Sequence, residues 1–408
     1  MSDSHSNASL NNHSLRANGE ARMPALDGLR GWAVLAVMFY HFALPFAQDH
    51  SSRASWAILR LMLTGSYGVD MFFVLSGFLI TGILLDSKNC TGYFRTFYMR
   101  RLVRIFPLYY GVLAACFGLL HRVPLFHEYA PRQGWLWLYA GNFTHIAGFD
   151  FDPGFAHFWS LAVEEHFYLI WPVVVLLLSR STLMLTSMMI LTLSPLLRCA
   201  IIGAGLLDSE TAAMITPLRL DGLAMGALLA GISRSPGGLV QFRSLAVWLV
   251  IVGTFATLCS KTLYGSSDGS VWGLSGVGHT TVSVAVSGML ILAITGDGFW
   301  SRVLSWKTLR FFGKYSYGLY VFHFLLQPWM DGMFWFMPSI PALNILLHIA
   351  AATVITLVVA LLSWNLYEKQ FLKLKKYFEY SKVIKAEPVN ESVVTIGDLG
   401  RPMLIRPT

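Results

Sequence analysis

Residues 26–42 read LDGLRGWAVLAVMFYHF, and this stretch decides the fold. It is an apolar run with an arginine at its mouth and a histidine inside, the pattern of a membrane helix that carries a titratable group at depth. His41 follows Arg30 by eleven residues, about 16 Å along a helix. Eleven steps of ~100° return to nearly the same face. Arg30 and His41 are therefore expected to point into one groove, Arg30 at its inner end and His41 near mid-membrane. The bland alternative is a snorkelling arginine and a histidine that bonds a neighbouring helix.

Composition extends this reading to the whole chain. Of 408 residues, 55% are hydrophobic and 13% charged, against about 25% charged in an average soluble domain. A span needs about 20 apolar residues, and that window gives about ten candidates: 29–48, 66–86, 105–121, 155–178, 182–203, 217–233, 244–260, 272–294, 315–337 and 342–366. The fold class is thus an all-α polytopic transmembrane bundle over residues 23–376, with polar cytoplasmic tails at 1–22 and 377–408. The first tail, MSDSHSNASLNNHSLRANGEAR, lacks the apolar core of a signal peptide. Basic residues cluster after the second span (Lys88, Arg95, Arg100, Arg101, Arg104) and before the ninth (Arg302, Lys307, Arg310, Lys314). This places both termini in the cytoplasm. The net charge of +8 is read as the same loop bias, with no nucleic-acid partner. Cys90, Cys116, Cys199 and Cys259 form no CxxC pair and suggest neither a disulfide frame nor a metal site.

Charges at bilayer depth cost several kcal/mol unless paired or solvated, so each needs a reason. In FWSLAVEEHFYLIWP (158–172), Glu164 and Glu165 lie about 14 Å from the outer surface and His41 about 12 Å. One of the two glutamates is expected to face His41, orienting the imidazole or stabilising its cation while the imidazole takes a hydroxyl proton. A structural carboxylate held by a backbone group or tyrosine is the alternative. In GVDMFFVLSGFLIT (68–81), Asp70 lies near the outer end within reach of water, while Ser76 and Gly77 are small residues suited to helix packing. TGYFRTFYMRRLVRIFPLYY (91–110) is basic and aromatic. Its Arg100, Arg101 and Arg104 could hold the phosphates of coenzyme A or belong to an interfacial helix. RLDGLAMGALLA (219–230) places Arg219 and Asp221 at the start of the short sixth span, and GKYSYGLYVFHF (313–324) places Tyr317, Tyr320 and His323 in the ninth. His145 and Asp150 match an H-x4-D acyltransferase pattern, but the match is short and falls in an outer loop out of reach of acyl-CoA, so it is set aside.

Taken in order, these segments, with NLYEKQF (365–371), resemble acyltransferase family 3 of integral membrane proteins over residues 23–376. That family includes O-antigen and exopolysaccharide O-acetyltransferases, glucan succinyltransferases and macrolide acyltransferases. The resemblance places an Arg-x10-His motif on Arg30 and His41 and an Arg-x-x-Arg element on Arg101 and Arg104. It implies an essential His41, arginines serving acyl-CoA, a ten-span core, and motif positions at Asp70, Glu164, Glu165 and His323. The expected function is O-acyl transfer, acetyl first, from cytoplasmic acyl-CoA to a hydroxyl of an extracytoplasmic glycan or lipid-linked sugar. Lipopolysaccharide is one such acceptor. The setting is the lipid of the bacterial inner membrane, with glycan-biosynthesis proteins as partners. A macrolide or small-molecule acyltransferase and a transporter or flippase are the competing readings. His166 stands where many relatives have glutamine, and the sequence carries no appended SGNH hydrolase-like domain, so a single-component mechanism or a separate partner is expected.

Overall fold

The computed structural model describes residues 23–47, 52–264, 274–296, 298–333 and 341–382. The expected N-terminal tail 1–22, and residues 383–408 of the expected C-terminal tail 377–408, lie outside these residues. The described chain is an all-α bundle: α1 (Pro24–Ala43), α2 (Arg53–Met62), α3 (Gly68–Ser87), α4 (Tyr93–Ala114), α5 (Phe158–Leu177), α6 (Arg180–Gly203), α7 (Asp221–Ile232), α8 (Arg243–Tyr264), α9 (His279–Thr295), α10 (Lys307–Lys314), α11 (Ser316–Met333) and α12 (Pro341–Ser363), joined by short helical turns. Helices are what lipid demands, because each backbone polar group must find its partner within its own segment.

A helix stands at all ten expected windows, and eight helical stretches among the described residues are long and apolar enough to cross a membrane. The expected sixth span differs. α7 has 12 residues, about 18 Å, and is buried along nearly its whole length from Asp221 to Gly231. A helix apolar on every side can be buried in protein instead of facing lipid, and α7 is such an interior helix. Its contact with α3 is backbone to backbone. A Cβ at Gly77 would lie 1.9 Å from the Leu223 carbonyl oxygen, and one at Gly226 would lie 2.0 Å from that of Val74. Gly226→Ala is therefore expected to destabilise the fold by about 3 kcal/mol or more, since backbone atoms cannot rotate out of the way. Thermal melting of the purified variant checks this, and an unchanged midpoint would refute the close crossing.

The basic segment expected ahead of the third span is the first part of α4 itself, which starts at Tyr93. At this arginine-bearing end, Lys88 Nζ donates to the Val175 and Leu178 carbonyls (2.9 and 2.6 Å) and neutralises the C-terminal dipole of α5. Arg234 grips Asp86 with two hydrogen bonds of 2.7 and 2.5 Å. The expected C-terminal tail begins later than residue 377. Ser381–Lys382 (β2) pairs antiparallel with Cys90–Thr91 (β1), Arg100 Nη1 donates to the Phe378 carbonyl at 3.3 Å, and Tyr380 is buried. At the opposite end the long aromatic connection packs back on α4. Tyr109 stacks on Tyr139 with ring centroids 4.1 Å apart and donates to the Leu136 carbonyl at 2.7 Å. His145 and Asp150 pair with each other there at 3.4 Å.

Candidate active site

α1, α3, α4, α5 and α11 surround an open pocket of about 820 Å³. Arg30, Arg101 and Arg104 line it, followed by Ser76, Glu164, Glu165 and Tyr168, and then by Phe72, Ser160 and Tyr320. Arg30 lies 3.8 Å from Asp27, one helical turn back. The Arg101 guanidinium rests 5.8 Å from the ring centres of both Phe97 and Tyr168, which holds the planar cation in place. Arg100 does not join Arg104 in the pocket and is turned to the Phe378 carbonyl instead.

Glu164 accepts from Ser76 Oγ at 2.7 Å and from Tyr168 Oη at 3.2 Å. Ser76, expected as a packing residue, is therefore a polar partner. Glu165 lines the same pocket and makes no hydrogen bond or ion pair among the described residues. Neither glutamate pairs with His41, contrary to the expectation from matched depth. Ser160 is the residue on α5 that meets the level of the histidines, bonding Tyr320 at 2.5 Å. Glu164 follows one turn later, about 6 Å nearer the arginine end. His166, on another side of α5, bonds Thr216 at 2.7 Å.

His41 lies one layer of side chains beyond the pocket. Phe72, Ser160 and Tyr320 form the pocket's end, where Tyr320 also donates to the His157 carbonyl at 3.2 Å. The Tyr320 ring packs on His323, and His323 packs on His41, with ring centroids 5.4 and 4.9 Å apart. Hydrogen bonds fix the tautomers. His323 Nδ1 lies 2.7 Å from the Tyr320 carbonyl, which can only accept, so Nδ1 carries the proton and Nε2 a lone pair. That lone pair faces His41 Nδ1 at 3.1 Å, and Nδ1 also lies 3.0 Å from the Val37 carbonyl. With acceptors on both sides, His41 Nδ1 is the protonated nitrogen and Nε2 is left with a free lone pair. His323 therefore stands beside His41 where sequence reasoning expected a glutamate. His323 is fully buried, while His41 is half-buried. Gln327 Nε2 donates to the His41 carbonyl at 3.0 Å.

Asp70, Arg219 and Asp221 belong to a separate cluster. Asp70 is 0% exposed, not open to water as expected, because Arg219 Nη2 meets it at 2.6 Å and His279 Nδ1 at 3.2 Å. Arg198 Nη2 pairs with Asp221 at 3.0 Å and its Nε donates to the Gly276 carbonyl at 2.8 Å, while Thr280 donates to Asp221 at 2.6 Å. Two cations and two carboxylates thus close a buried, balanced network between α3, α6, α7 and α9. Sequence reasoning missed Arg198. Its signal was present, an arginine within the apolar run LSPLLRCAII (193–202). Among the described residues no group of three or more His, Cys, Asp or Glu side chains is placed to hold a metal ion.

A family model described as an acyltransferase domain matches residues 23–365. The O-acetyltransferase OatA of Staphylococcus aureus is 30% identical over 324 residues, which cover 74% of this chain and 50% of that protein. The peptidoglycan O-acetyltransferase OatA of Listeria monocytogenes is 29% identical over 338 residues, covering 74% of this chain and 49% of that protein. The chain thus spans about half the length of these curated relatives. No solved structure matches it. On the strength of a match over most of its length, this multi-pass chain belongs to acyltransferase family 3 of integral membrane proteins.

Proposed function

We propose that the protein is a membrane O-acyltransferase that moves an acetyl group from acetyl-CoA to a hydroxyl of an extracytoplasmic glycan. The observation that carries this reading is the tautomer-locked His323–His41 pair, with the free His41 Nε2 lone pair one side-chain layer beyond the end of an arginine-lined pocket. In this reading the arginine end faces the cytoplasm of a bacterial cell and both termini lie there. The donor's phosphates sit on Arg30, Arg101 and Arg104, whose guanidinium forks suit phosphate oxygens. Arg100 holds the C-terminal segment instead.

The donor's thioester reaches toward the end of the pocket, and contact with His41 requires Tyr320 and Ser160 to part. His41 Nε2 takes the proton of the acceptor hydroxyl as the oxygen attacks the thioester carbonyl. The carbon–sulfur bond breaks, and the leaving thiolate takes that proton from the imidazolium. If Nε2 itself attacks first, the carbon–sulfur bond breaks and the thiolate leaves the acyl group on Nε2; the hydroxyl oxygen then attacks that acyl group, the carbon–nitrogen bond breaks, and the hydroxyl proton passes to the thiolate. In both routes the Val37 carbonyl and His323 Nε2 stabilise positive charge on the ring.

The test is purified protein in lipid nanodiscs with acetyl-CoA and lysozyme-solubilised peptidoglycan, scored by free CoA thiol and by acetylated glycan. A transporter would release no CoA. Arg101→Ala is expected to raise the KM for acetyl-CoA by about tenfold to a hundredfold, the worth of a charged hydrogen bond, and to leave kcat within a few-fold. An unchanged KM would remove Arg101 from the donor site.

A further inference from the structure

The pocket accounts for one face of the reaction centre. The other face lies along α11. Tyr320, His323, Gln327 and Asp331 follow one another at spacings of three, four and four residues, which keeps them on one side of the helix. This polar seam starts at the end of the pocket and runs about 16 Å to Asp331, whose side chain is 27% exposed and lies 3.3 Å from His348. A polar stripe at bilayer depth is costly and marks a path or a site.

Two members of the seam carry an oxygen without a hydrogen bond among the described residues, Asp331, which faces His348, and Gln327, which lies nearer the histidines. Gln327 is 7% exposed. The His41 carbonyl can only accept, so the amide nitrogen must face it, as it does at 3.0 Å. This orientation sends the amide oxygen the other way, where it has no hydrogen-bond partner among the described residues. A buried acceptor left unmade costs about 1–3 kcal/mol. The missing partner is a donor, and it belongs on the side of His41 away from the donor pocket.

We propose that the Gln327 amide oxygen is part of the acceptor site and binds a second hydrogen-bond donor, a hydroxyl or amide N–H next to the hydroxyl being acylated. The reacting hydroxyl itself must point its proton at His41 Nε2, so it cannot also donate to Gln327. The ligand class is therefore a polyhydroxylated acceptor, a sugar with neighbouring polar groups. A simple alcohol leaves the amide oxygen bare. This inference rests on the acyltransferase reading above and adds the residue that recognises the acceptor.

The experiment measures, for the full chain in nanodiscs, the ratio of acetyl transfer to lysozyme-solubilised peptidoglycan over acetyl-CoA hydrolysis. Gln327→Leu is expected to lower this ratio by about tenfold to a hundredfold, because transfer falls much further than hydrolysis. Gln327→Glu, which in its protonated form offers the same donor and acceptor, should restore it. Should the leucine variant fail to fold, Gln327→Asn withdraws the oxygen by one methylene and gives the same reading. A ratio unchanged in the variants overturns the proposal. So does an equal fall in transfer and hydrolysis, which would mean that Gln327 acts only through the His41 backbone. Wild-type CoA release without glycan acetylation overturns this inference alone, whereas no CoA release at all overturns the acyltransferase reading beneath it.

Discussion

Substitution of His41 by alanine is expected to lower acetyl transfer by about three orders of magnitude, with a stability loss of about 1–3 kcal/mol. The effect is large because neither His323 nor Glu164 is free to replace His41 as the base. His323 has its Nδ1 proton committed to the Tyr320 carbonyl and its Nε2 lone pair committed to His41. Glu164 is held by Ser76 and Tyr168 within the pocket, on the arginine side of the end wall. Removing the imidazole therefore removes both routes, direct proton abstraction and acyl carriage. The stability loss follows from position: the variant leaves Nε2 of the fully buried His323 without its donor. His323→Ala should be milder, about tenfold to a hundredfold, as expected when an orienting partner is lost and the lone pair survives. Steady-state transfer assays on the two variants check both statements. Near-normal turnover by His41→Ala would end the proposed mechanism, and a His323→Ala loss equal to that of His41→Ala would mean that His323 is itself the reacting group.

The sequence yields the helices readily because lipid leaves the backbone so few choices. Apolar windows of sufficient length marked ten of the twelve helices and passed over the short α2 and α10. The failures share one cause, that a linear reading gives depth along a helix and nothing about which neighbour lies beside it. Glu164 and His41 read as similar in depth from the sequence, yet α5 presents Ser160 at the level of the histidines and turns Glu164 toward Ser76. Asp70 was placed near water because it stands close to a helix end. That end is covered by Arg219 and His279, which come from segments 149 and 209 residues away. α7 was read as a span because its apolar run cannot distinguish lipid from protein as surroundings. The docking of residues 378–382 depends on a two-residue strand and on scattered contacts from Thr91, Arg95, Thr96 and Arg100, too little pattern for periodicity to detect. Arg198 was a different kind of miss, since the intramembrane-charge rule that flagged Arg30 applied to it equally.

Arg219→Leu is expected to prevent recovery of folded protein, or to lower its stability by about 3–5 kcal/mol. Arg219 is 1% exposed and touches both carboxylates, Asp70 at 2.6 Å and Asp221 at 3.5 Å. Its loss leaves Asp70 with only the His279 ring and strands a negative charge among α3, α7 and α9, where neither water nor lipid can solvate it. The cost comes from the unpaired carboxylate more than from the lost attraction, so removing that charge as well should recover part of the stability: Arg219→Leu with Asp70→Asn should be more stable than Arg219→Leu alone. Melting temperature and the monodisperse fraction after purification read this directly. The same pair of measurements decides what Asp70 does. As a structural anion, its asparagine variant should lose activity in step with stability, because the residue faces Arg219 and not the pocket. An Asp70→Asn protein that melts like wild type yet transfers no acetyl group would return Asp70 to the chemistry and contradict the buried network described above.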